Sequence, residues 1–378
     1  MKHIPFNKPF MAGNELRYIQ QVCADGQFSG NGKFTKRCQA WLEESIGCGK
    51  ALLTHSCTAA LEMAAILIDI KPGDEIIMPS YTFVSTANAF VLRGGIPVLV
   101  DIREDTLNLD EKKVERVITG RTKAIVPMHY AGTACEMGAI MDIARRHNLA
   151  VIEDAAHGIM AKYKESYLGS IGDLAALSFH ETKNIISGEG GALLINDKRL
   201  YERAEIIWEK GTNRSLFLKG QVDKYSWVDI GSSYLPNEIT AAFLWAQLEK
   251  AGKITQRRLW LWSMYQKSFL GLEMSGVLRR QVIRKECAHN AHMYYLLLPG
   301  AKERDKLISF LKKNNITAPF HYVPLHLAAA GRRYCRIPDK LPVTEEVSQR
   351  LLRLPLWAGM KDRTIKHVID TVIKGLSV

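Results

Sequence analysis

Two polar groups in the middle of the chain have a spacing that could support chemistry. Lys183 lies in the segment 177–184, LSFHETKN, just before the glycine-rich turn 188–191, GEGG. Asp154 lies upstream in the segment 151–157, VIEDAAH, at the end of another apolar run. A lysine amine can bond covalently to an aldehyde cofactor, and a carboxylate can keep a pyridine nitrogen protonated. The pair therefore indicates a pyridoxal-phosphate enzyme.

The bulk composition is that of an ordinary globular chain. It has 378 residues, of which 47% are hydrophobic and 24% are charged, enough for one large domain and a smaller one. The first residues lack the apolar core of a signal peptide, and no apolar run approaches the roughly 18 residues of a membrane span. The seven cysteines are scattered without a Cys-x-x-Cys pair, which favours reduced thiols. We expect a cytoplasmic protein without integral membrane association or a structural zinc site.

The net charge of +12 is concentrated in the C-terminal third. Residues 1–250 carry 28 Lys/Arg against 30 Asp/Glu, whereas residues 251–378 carry 23 against 9. This excess indicates either a site for an anionic partner or a solvated basic surface. The anionic partner could be a diphosphate ligand, a nucleic acid or an anionic membrane face. Since the sequence shows no nucleic-acid fold signature, we expect no nucleic-acid partner.

The hydrophobic pattern predicts an α/β fold. From residue 51 to residue 208, short apolar strands alternate with longer helical segments, a pattern typical of βα units and a mainly parallel sheet. In that architecture ligands bind at the carboxyl ends of the strands. Two amphipathic helices, 13–25 and 33–46, precede this region, and residues 235–270 are predicted to form one or two long helices.

The pattern changes beyond residue 276, where strands 291–298 and 316–321 and three helices predict a small α+β unit. We therefore expect a large domain over residues 1–250 and a small C-terminal domain over residues 251–378.

Further candidate site residues lie after the predicted strands. In the turn 54–60, THSCTAA, small and hydroxylic residues would let the backbone approach a phosphate at a helix N-terminus, although simple capping of that helix by Ser56 or Thr58 is the alternative. Tyr81 or Phe83 could lie flat on a cofactor ring or could pack in the core. His157 could contact the cofactor, and Ser178 would be within reach of its phosphate.

The segment 320–326, FHYVPLH, brings two histidines and a tyrosine together in the basic region. Donors and an aromatic face suit a polar ligand with phosphate and a planar base, so His321, Tyr322 and His326 are substrate-binding candidates. A loop of satisfied polar residues is the alternative. No third ligand accompanies the two histidines, so we predict no metal.

Together these motifs resemble the DegT/DnrJ/EryC1 sugar aminotransferase family, which has the aspartate aminotransferase type I fold of pyridoxal-phosphate-dependent transferases. The SFHxxK and GEGG motifs and the EDAAH motif carry the resemblance, which spans nearly the whole chain. It implies that Lys183 holds pyridoxal 5'-phosphate, that Asp154 pairs with the ring nitrogen and that His157 lies beside the ring. It also implies that Phe83 stacks on the ring. The residues implied to hold the phosphate are Cys57, Thr58 and Ser178.

The resemblance also implies a homodimer with shared active sites, in which a loop near residues 231–237 reaches the phosphate of the partner subunit. The family commonly has Asn or Arg where this chain has Leu235, which leaves Ser232, Ser233 or Asn237 for that contact.

The implied substrates are L-glutamate as amino donor and a nucleotide-linked keto sugar as acceptor. Segments 79–88, 211–215 and 221–225 are similar to those of family members that aminate C4 of dTDP-4-keto-6-deoxy-D-glucose to the galactose-configured product. Three alternatives stay open. The first is the glucose-configured epimer or another nucleotide sugar. The second is a cofactor-dependent dehydratase, whose relatives carry His at the position of Lys183. The third is a non-catalytic binding or regulatory protein with the same fold.

Overall fold

The computed structural model describes residues 3–377. The helices of this part of the chain are α1 (Glu15–Asp25), α2 (Lys33–Ile46), α3 (Cys57–Leu67), α4 (Val84–Val91), α5 (Met137–His147), α6 (Tyr201–Trp208), α7 (Arg214–Leu218), α8 (Glu238–Leu248), α9 (Ala251–Ser268), α10 (Leu270–Met274), α11 (Ala301–Lys313), α12 (Ala329–Tyr334), α13 (Pro342–Arg350) and α14 (Asp362–Leu376). The strands are β1 (Lys50–Thr54), β2 (Glu75–Pro79), β3 (Ile96–Val100), β4 (Thr122–Ile125), β5 (Ala150–Asp154), β6 (Lys162–Tyr163), β7 (Ser166–Tyr167), β8 (Leu174–Ser178), β9 (Gly191–Ile195), β10 (Arg279–Arg280), β11 (Cys287–Ala288), β12 (Tyr294–Leu297) and β13 (Leu351–Leu354).

A seven-stranded sheet with the order β1-β9-β8-β5-β4-β2-β3 forms the centre of the molecule. Only β9 runs against the others, because it pairs antiparallel with both β8 and β1. The remaining ladders between β8 and β3 are parallel. Strands β2, β8 and β9 are buried along their whole length, as expected for a sheet covered on both faces. The predicted α/β fold with a mainly parallel sheet is confirmed.

Alternate residues of each strand enter two different hydrophobic layers. Leu52 of β1 packs with α3 and α4 on one face, whereas Leu53 packs with α2 and α8 on the other. The helices therefore cover both faces and leave the strand ends as the place for a ligand. No helix in residues 3–377 is long and apolar enough to cross a membrane.

A second, antiparallel sheet, β10-β12-β13, forms the core of the C-terminal unit with α11 and α14. Helix α9 contributes Ile254 to the core of the large unit and Leu261 to that of the small one, so it joins the two. Ile4 also packs in the small core and makes a single bridge to Ile316. The limits 1–250 and 251–378 stay a prediction. A third sheet, β11-β6-β7, connects residues 162–167 with residues 287–288.

The prediction of a strand over residues 316–321 is wrong. Beyond the bridge at Ile316 the segment has no ladder, and Pro319 within it has no N–H to donate to one. The segment instead continues as a loop toward His321.

Glu238 at the start of α8 provides the acceptor for the N-terminus of α2. Its buried carboxylate accepts the backbone N–H groups of Gly32 (3.0 Å), Phe34 (2.7 Å) and Thr35 (3.1 Å), and also the Thr35 hydroxyl. A carboxylate in this position satisfies donors that the helix cannot satisfy itself and interacts favourably with the helix dipole. Glu238 thus fixes the glycine-rich segment 26–32 against α8.

Replacing Glu238 by alanine should lower the free energy of unfolding by about 2–4 kcal/mol, because several buried donors lose their acceptor. Urea unfolding of the purified protein would measure the change. Glu202, an exposed residue of α6, offers a matched control, and its alanine variant should stay within about 0.5 kcal/mol of wild type. Equal unfolding midpoints for the two variants would contradict the capping role.

Candidate active site

A cavity of about 580 Å³ lies at the carboxyl ends of β5 and β8, between the large sheet and the C-terminal unit. Almost every site residue predicted from the sequence lines this cavity. The predicted residues in its wall are Cys57, Thr58, Phe83, Asp154, His157, Ser178, Lys183, His321 and Tyr322. The structure therefore brings together groups that are separated by up to hundreds of residues in the chain.

Lys183 follows β8 in a tight turn in which its backbone N–H donates to the His180 carbonyl oxygen at 2.9 Å. Burial lowers the pKa of its amine from the usual 10.5, while the neighbouring Cys57 and Asp154 act in the opposite direction. Within residues 3–377, no carboxylate oxygen lies within 4.0 Å of the amine. A desolvated amine without an ion-pair partner is suited to covalent bonding with an aldehyde.

The glycine turn after Lys183 allows two segments to come very close. Gly188 has a φ of +83°, which favours glycine. A Cβ on Gly191 would lie 2.4 Å from the Ser56 carbonyl carbon and 2.5 Å from the Cys57 nitrogen. No other residue fits there, so this glycine holds the lysine loop directly against the turn that begins α3.

The N-terminus of α3 fits a phosphate group. Ser56 is the N-cap, and its Oγ accepts the Ala59 N–H at 3.1 Å, so the capping expected from the sequence is present. In the described chain the backbone N–H groups of Cys57 and Thr58 have no acceptor, and free N–H groups at a helix N-terminus bind anions. Burial raises the pKa of the Cys57 thiol, so it adds no negative charge beside an anion. Ser85 also lines the cavity and accepts the Thr58 hydroxyl at 2.7 Å.

Asp154 is the last residue of β5 and is buried. Its Oδ2 accepts the Thr86 hydroxyl at 2.6 Å, and its Oδ1 accepts the Ala156 N–H at 3.1 Å. Within residues 3–377, no basic side chain lies within 4.0 Å of this carboxylate. A buried carboxylate is costly without a cationic partner, and a protonated pyridine nitrogen in the cavity would be such a partner.

His157 carries a polar atom that the protein leaves unused. Its Nδ1 is sealed from solvent without a hydrogen-bond partner in the described chain, which is rare for a buried polar atom. The ring stacks on that of His292, with centroids 4.0 Å apart and an angle of 19° between the planes. Burial, reinforced by His292 and Lys183, holds the pKa of His157 well below 6.5, so the ring is neutral. The cavity thus offers the Lys183 amine, the Asp154 carboxylate, the free N–H groups of α3 and the unused Nδ1 of His157. This set of groups fits pyridoxal phosphate.

The C-terminal unit supplies the opposite wall. The Tyr130 hydroxyl bonds to His321 Nδ1 at 2.7 Å, and the Tyr322 hydroxyl lies 3.5 Å from His157 Nε2. Arg353 of β13 also lines the cavity, where its guanidinium donates to the Phe320 carbonyl oxygen at 2.9 Å. Burial lowers the pKa of Arg353 from 12.5 without discharging it at neutral pH.

The two aromatic candidates that follow β2 have different environments. Tyr81 is buried in the core, whereas Phe83 lines the cavity and is 56% exposed. The structure thus assigns core packing to Tyr81 and a place at the cavity mouth to Phe83.

His326, like Tyr81, was predicted as a site residue but does not line the cavity. Its Nδ1 lies 2.7 Å from Ser80 Oγ, and its Nε2 lies 3.2 Å from Glu345 Oε1. Both ring nitrogens are therefore engaged behind the cavity wall, where His326 ties the loop to the end of β2. In residues 3–377, no three His, Cys, Asp or Glu side chains form a group that could hold a metal ion.

Sequence reasoning missed several cavity residues. Thr86 and Ser85 lie in a helix that gave no polar pattern, and His292 lies in a predicted strand. Arg353 gave a signal that could have been used, because it is the only charged residue in the apolar run 351–356, LLRLPL.

The comparisons with known proteins agree on one family. Residues 9–373 match the model of the DegT/DnrJ/EryC1/StrS aminotransferase family. The chain is 32% identical over 380 residues to the spore coat polysaccharide biosynthesis protein SpsC of Bacillus subtilis, covering 98% of this chain and 96% of that protein.

Two solved structures are similar over 99% of both chains. The aminotransferase TlmJ from Streptoalloteichus hindustanus superposes with a TM-score of 0.91 at 28% identity. The PMP form of the putative sugar aminotransferase Spr1654 from Streptococcus pneumoniae does so with a TM-score of 0.92 at 25% identity. The predictions of an enzyme, of its fold class and of its cofactor are confirmed. The chain belongs to the DegT/DnrJ/EryC1/StrS family and is a sugar aminotransferase dependent on pyridoxal phosphate.

Proposed function

We propose that this enzyme transfers the amino group of L-glutamate to C4 of dTDP-4-keto-6-deoxy-D-glucose. The products are dTDP-4-amino-4,6-dideoxy-D-galactose and 2-oxoglutarate, and the enzyme would be the cytoplasmic transaminase of enterobacterial common antigen synthesis. The observation that carries this proposal is the set of segments 79–88, 211–215 and 221–225, which resemble those of that transaminase. The first of these segments contains Phe83 and Ser85 of the cavity wall.

In this proposal the large unit holds the cofactor. The free N–H groups of Cys57 and Thr58 and the hydroxyl of Ser178 would hold its phosphate, since all three residues line the cavity. The Asp154 carboxylate would pair with the protonated ring nitrogen, and the hydroxyl of Thr86 fixes the direction of that carboxylate. His157 and Phe83, which also line the cavity, would contact the ring. Pyridoxal phosphate, when bound, supplies the electron sink that stabilises negative charge on the amino-bearing carbon.

Lys183 moves the protons of the reaction. Its Nζ accepts the proton from Cα of L-glutamate in the first half-reaction and delivers a proton to C4 of the sugar in the second. A base that must gain and lose a proton near neutral pH benefits from a lowered pKa, which burial provides for this amine.

The C-terminal wall binds the two substrates in turn. Arg353 is a cation in the cavity wall and can pair with a carboxylate of the amino donor. His321 and Tyr322 offer polar edges to the sugar nucleotide. His326 would act only by positioning this loop, because both of its ring nitrogens already have partners. The excess positive charge of residues 251–378 would favour approach of the anionic diphosphate.

We also propose that the enzyme is a homodimer with shared active sites. The segment 217–230 exposes large apolar side chains, among them Trp227, which is 81% exposed, and Leu218, which is 61% exposed. An exposed apolar patch of this kind is typical of a protein interface. The adjoining loop 231–237 does not line the cavity of its own chain. Ser232, Ser233 and Asn237 are exposed in this loop and would bring a polar group to a partner subunit, and Asn237 would do so while its Oδ1 accepts the Thr240 N–H.

Incubation with L-glutamate and dTDP-4-keto-6-deoxy-D-glucose should yield 2-oxoglutarate and an amino sugar with the galactose configuration at C4. NMR of the purified product would determine this configuration from the couplings of the proton on C4. The glucose-configured epimer, or amination only of a different nucleotide keto sugar, would contradict the proposed substrate and product while leaving the transaminase chemistry intact. A control reaction without L-glutamate should give no amino sugar.

A further inference from the structure

Three imidazoles line one side of the cavity: His157, His292 and His321. The ring of His157 stacks on that of His292 at 4.0 Å and faces that of His321 at 6.3 Å, with an angle of 23° between the latter two planes. Burial lowers the pKa of each ring well below 6.5, so all three are neutral. A neutral imidazole has one N–H and one bare nitrogen, so what each ring offers depends on which nitrogen holds the proton.

The tautomer of His292 is determined by Asn184. His292 Nδ1 lies 3.1 Å from Asn184 Oδ1. The amide cannot be reversed, because its Nδ2 donates to the carbonyl oxygen of Asn290 at 2.9 Å. Since an amide oxygen only accepts, His292 must carry its proton on Nδ1, and its Nε2 is left with a lone pair.

The tautomer of His321 is determined by Tyr130 in the opposite sense. The Tyr130 hydroxyl lies 2.7 Å from His321 Nδ1, and it also neighbours the buried hydroxyl of Tyr81. Tyr130 is fully buried, and burial raises the pKa of its phenol, so the group keeps its O–H. The Tyr81 hydroxyl has no other partner in residues 3–377, so it must donate to Tyr130, and Tyr130 must in turn donate to His321 if neither buried proton is to stay unsatisfied. His321 therefore accepts at Nδ1 and carries its own proton on Nε2.

The two remaining nitrogens are the polar edges that these rings can offer to a ligand. Nε2 of His292 and Nε2 of His321 have no hydrogen-bond partner in the described chain, and neither is sealed from solvent as His157 Nδ1 is. One is a bare acceptor and the other is an N–H donor. A sugar hydroxyl both donates and accepts, whereas a carboxylate only accepts, so a donor and an acceptor together suit a hydroxylated ligand.

We propose that Asn184 and Tyr130 are positioning residues that impose opposite tautomers on His292 and His321, so that the cavity wall recognises hydroxyl groups of the sugar substrate. This recognition role rests on the proposed function of the enzyme as a sugar aminotransferase for a nucleotide keto sugar. The tautomers themselves do not depend on it, because they follow from hydrogen bonds within the protein.

NMR of the enzyme as purified, with ¹⁵N-labelled histidine, would assign the protonated nitrogen of each ring. We expect the proton on Nδ1 of His292 and on Nε2 of His321. In Tyr130→Phe the tautomer of His321 should become mixed or reversed, while that of His292 stays the same. Tyr295→Phe is the matched control, because the Tyr295 ring lies 5.9 Å from that of Tyr130 but makes no hydrogen bond to either histidine. The same tautomer on both rings, or an unchanged His321 in Tyr130→Phe, would overturn the assignment.

Kinetics with dTDP-4-keto-6-deoxy-D-glucose would test the recognition role separately. Tyr130→Phe should raise the KM for the sugar about 10-fold, the loss expected for one hydrogen bond, without changing the KM for L-glutamate. An equal rise in both KM values, or no rise, would overturn the role in sugar recognition. If the wild-type enzyme aminates no nucleotide sugar, the proposed function itself fails, and the NMR result still decides the tautomers.

Discussion

Replacing Lys183 by alanine should abolish turnover, with a loss of roughly 10⁴-fold or more, and should end covalent attachment of the cofactor. Two separate contributions disappear, because the same amine bonds to the cofactor and moves the substrate protons. The fold should survive, since the amine has no ion-pair partner in residues 3–377 whose charge would be left unbalanced. Borohydride reduction followed by mass spectrometry of the protein would show whether pyridoxal phosphate is still attached.

The pH dependence of cofactor attachment gives a second measurement on the same amine. Only a neutral amine attacks an aldehyde, and burial lowers the pKa of Lys183 from its usual 10.5. Attachment to the cofactor-free protein should therefore increase with pH and reach its midpoint below 10.5. Lys123→Ala, which changes an exposed lysine of β4, is the matched control and should behave as wild type. A Lys183→Ala protein that keeps both attachment and turnover would refute the assignment.

The strands and their order of appearance were predictable from the sequence because buried parallel strands are short apolar runs separated by helices. Asp154 and Ser178 could be located at the carboxyl ends of such runs, where the sheet places ligands. Lys183 could be recognised by its position between a buried strand and a glycine turn. All of these features are local, and a single sequence shows local patterns directly.

Contacts between the two units were not predictable in the same way. His292 and Arg353 reach the cavity only because β12 and β13 pack beside the large sheet. The single charge in the apolar run 351–356 marked Arg353 as unusual, but no local pattern placed His292 at the cavity. His326 shows the reverse case. Its motif indicated a ligand contact, but hydrogen bonds to Ser80 and Glu345, both remote in the sequence, engage its ring instead.

Replacing Asp154 by asparagine should leave the cofactor bound but slow the reaction by roughly 10²–10⁴-fold, the effect of losing one partner of a buried ion pair. The amide has one oxygen where the carboxylate offers two, so it can accept either the Thr86 hydroxyl or the Ala156 N–H but not both. Without the negative charge, the site would no longer favour a protonated ring nitrogen. An unprotonated ring withdraws electrons poorly, so the barrier to removing the proton from Cα of L-glutamate rises.

The matched variant Thr86→Val separates the effect of the Asp154 charge from the effect of the Asp154 side-chain orientation. It keeps the carboxylate but removes the hydroxyl that donates to Asp154 at 2.6 Å, so its rate should fall by about 10-fold or less, as expected for one hydrogen bond. Single-turnover rates with L-glutamate, together with the absorbance of the bound cofactor, would measure both variants. If Asp154→Asn retained the wild-type rate, the negative charge of Asp154 could not be what activates the cofactor. If Thr86→Val were the slower of the two variants, Thr86 would need a more direct role than orienting the Asp154 carboxylate.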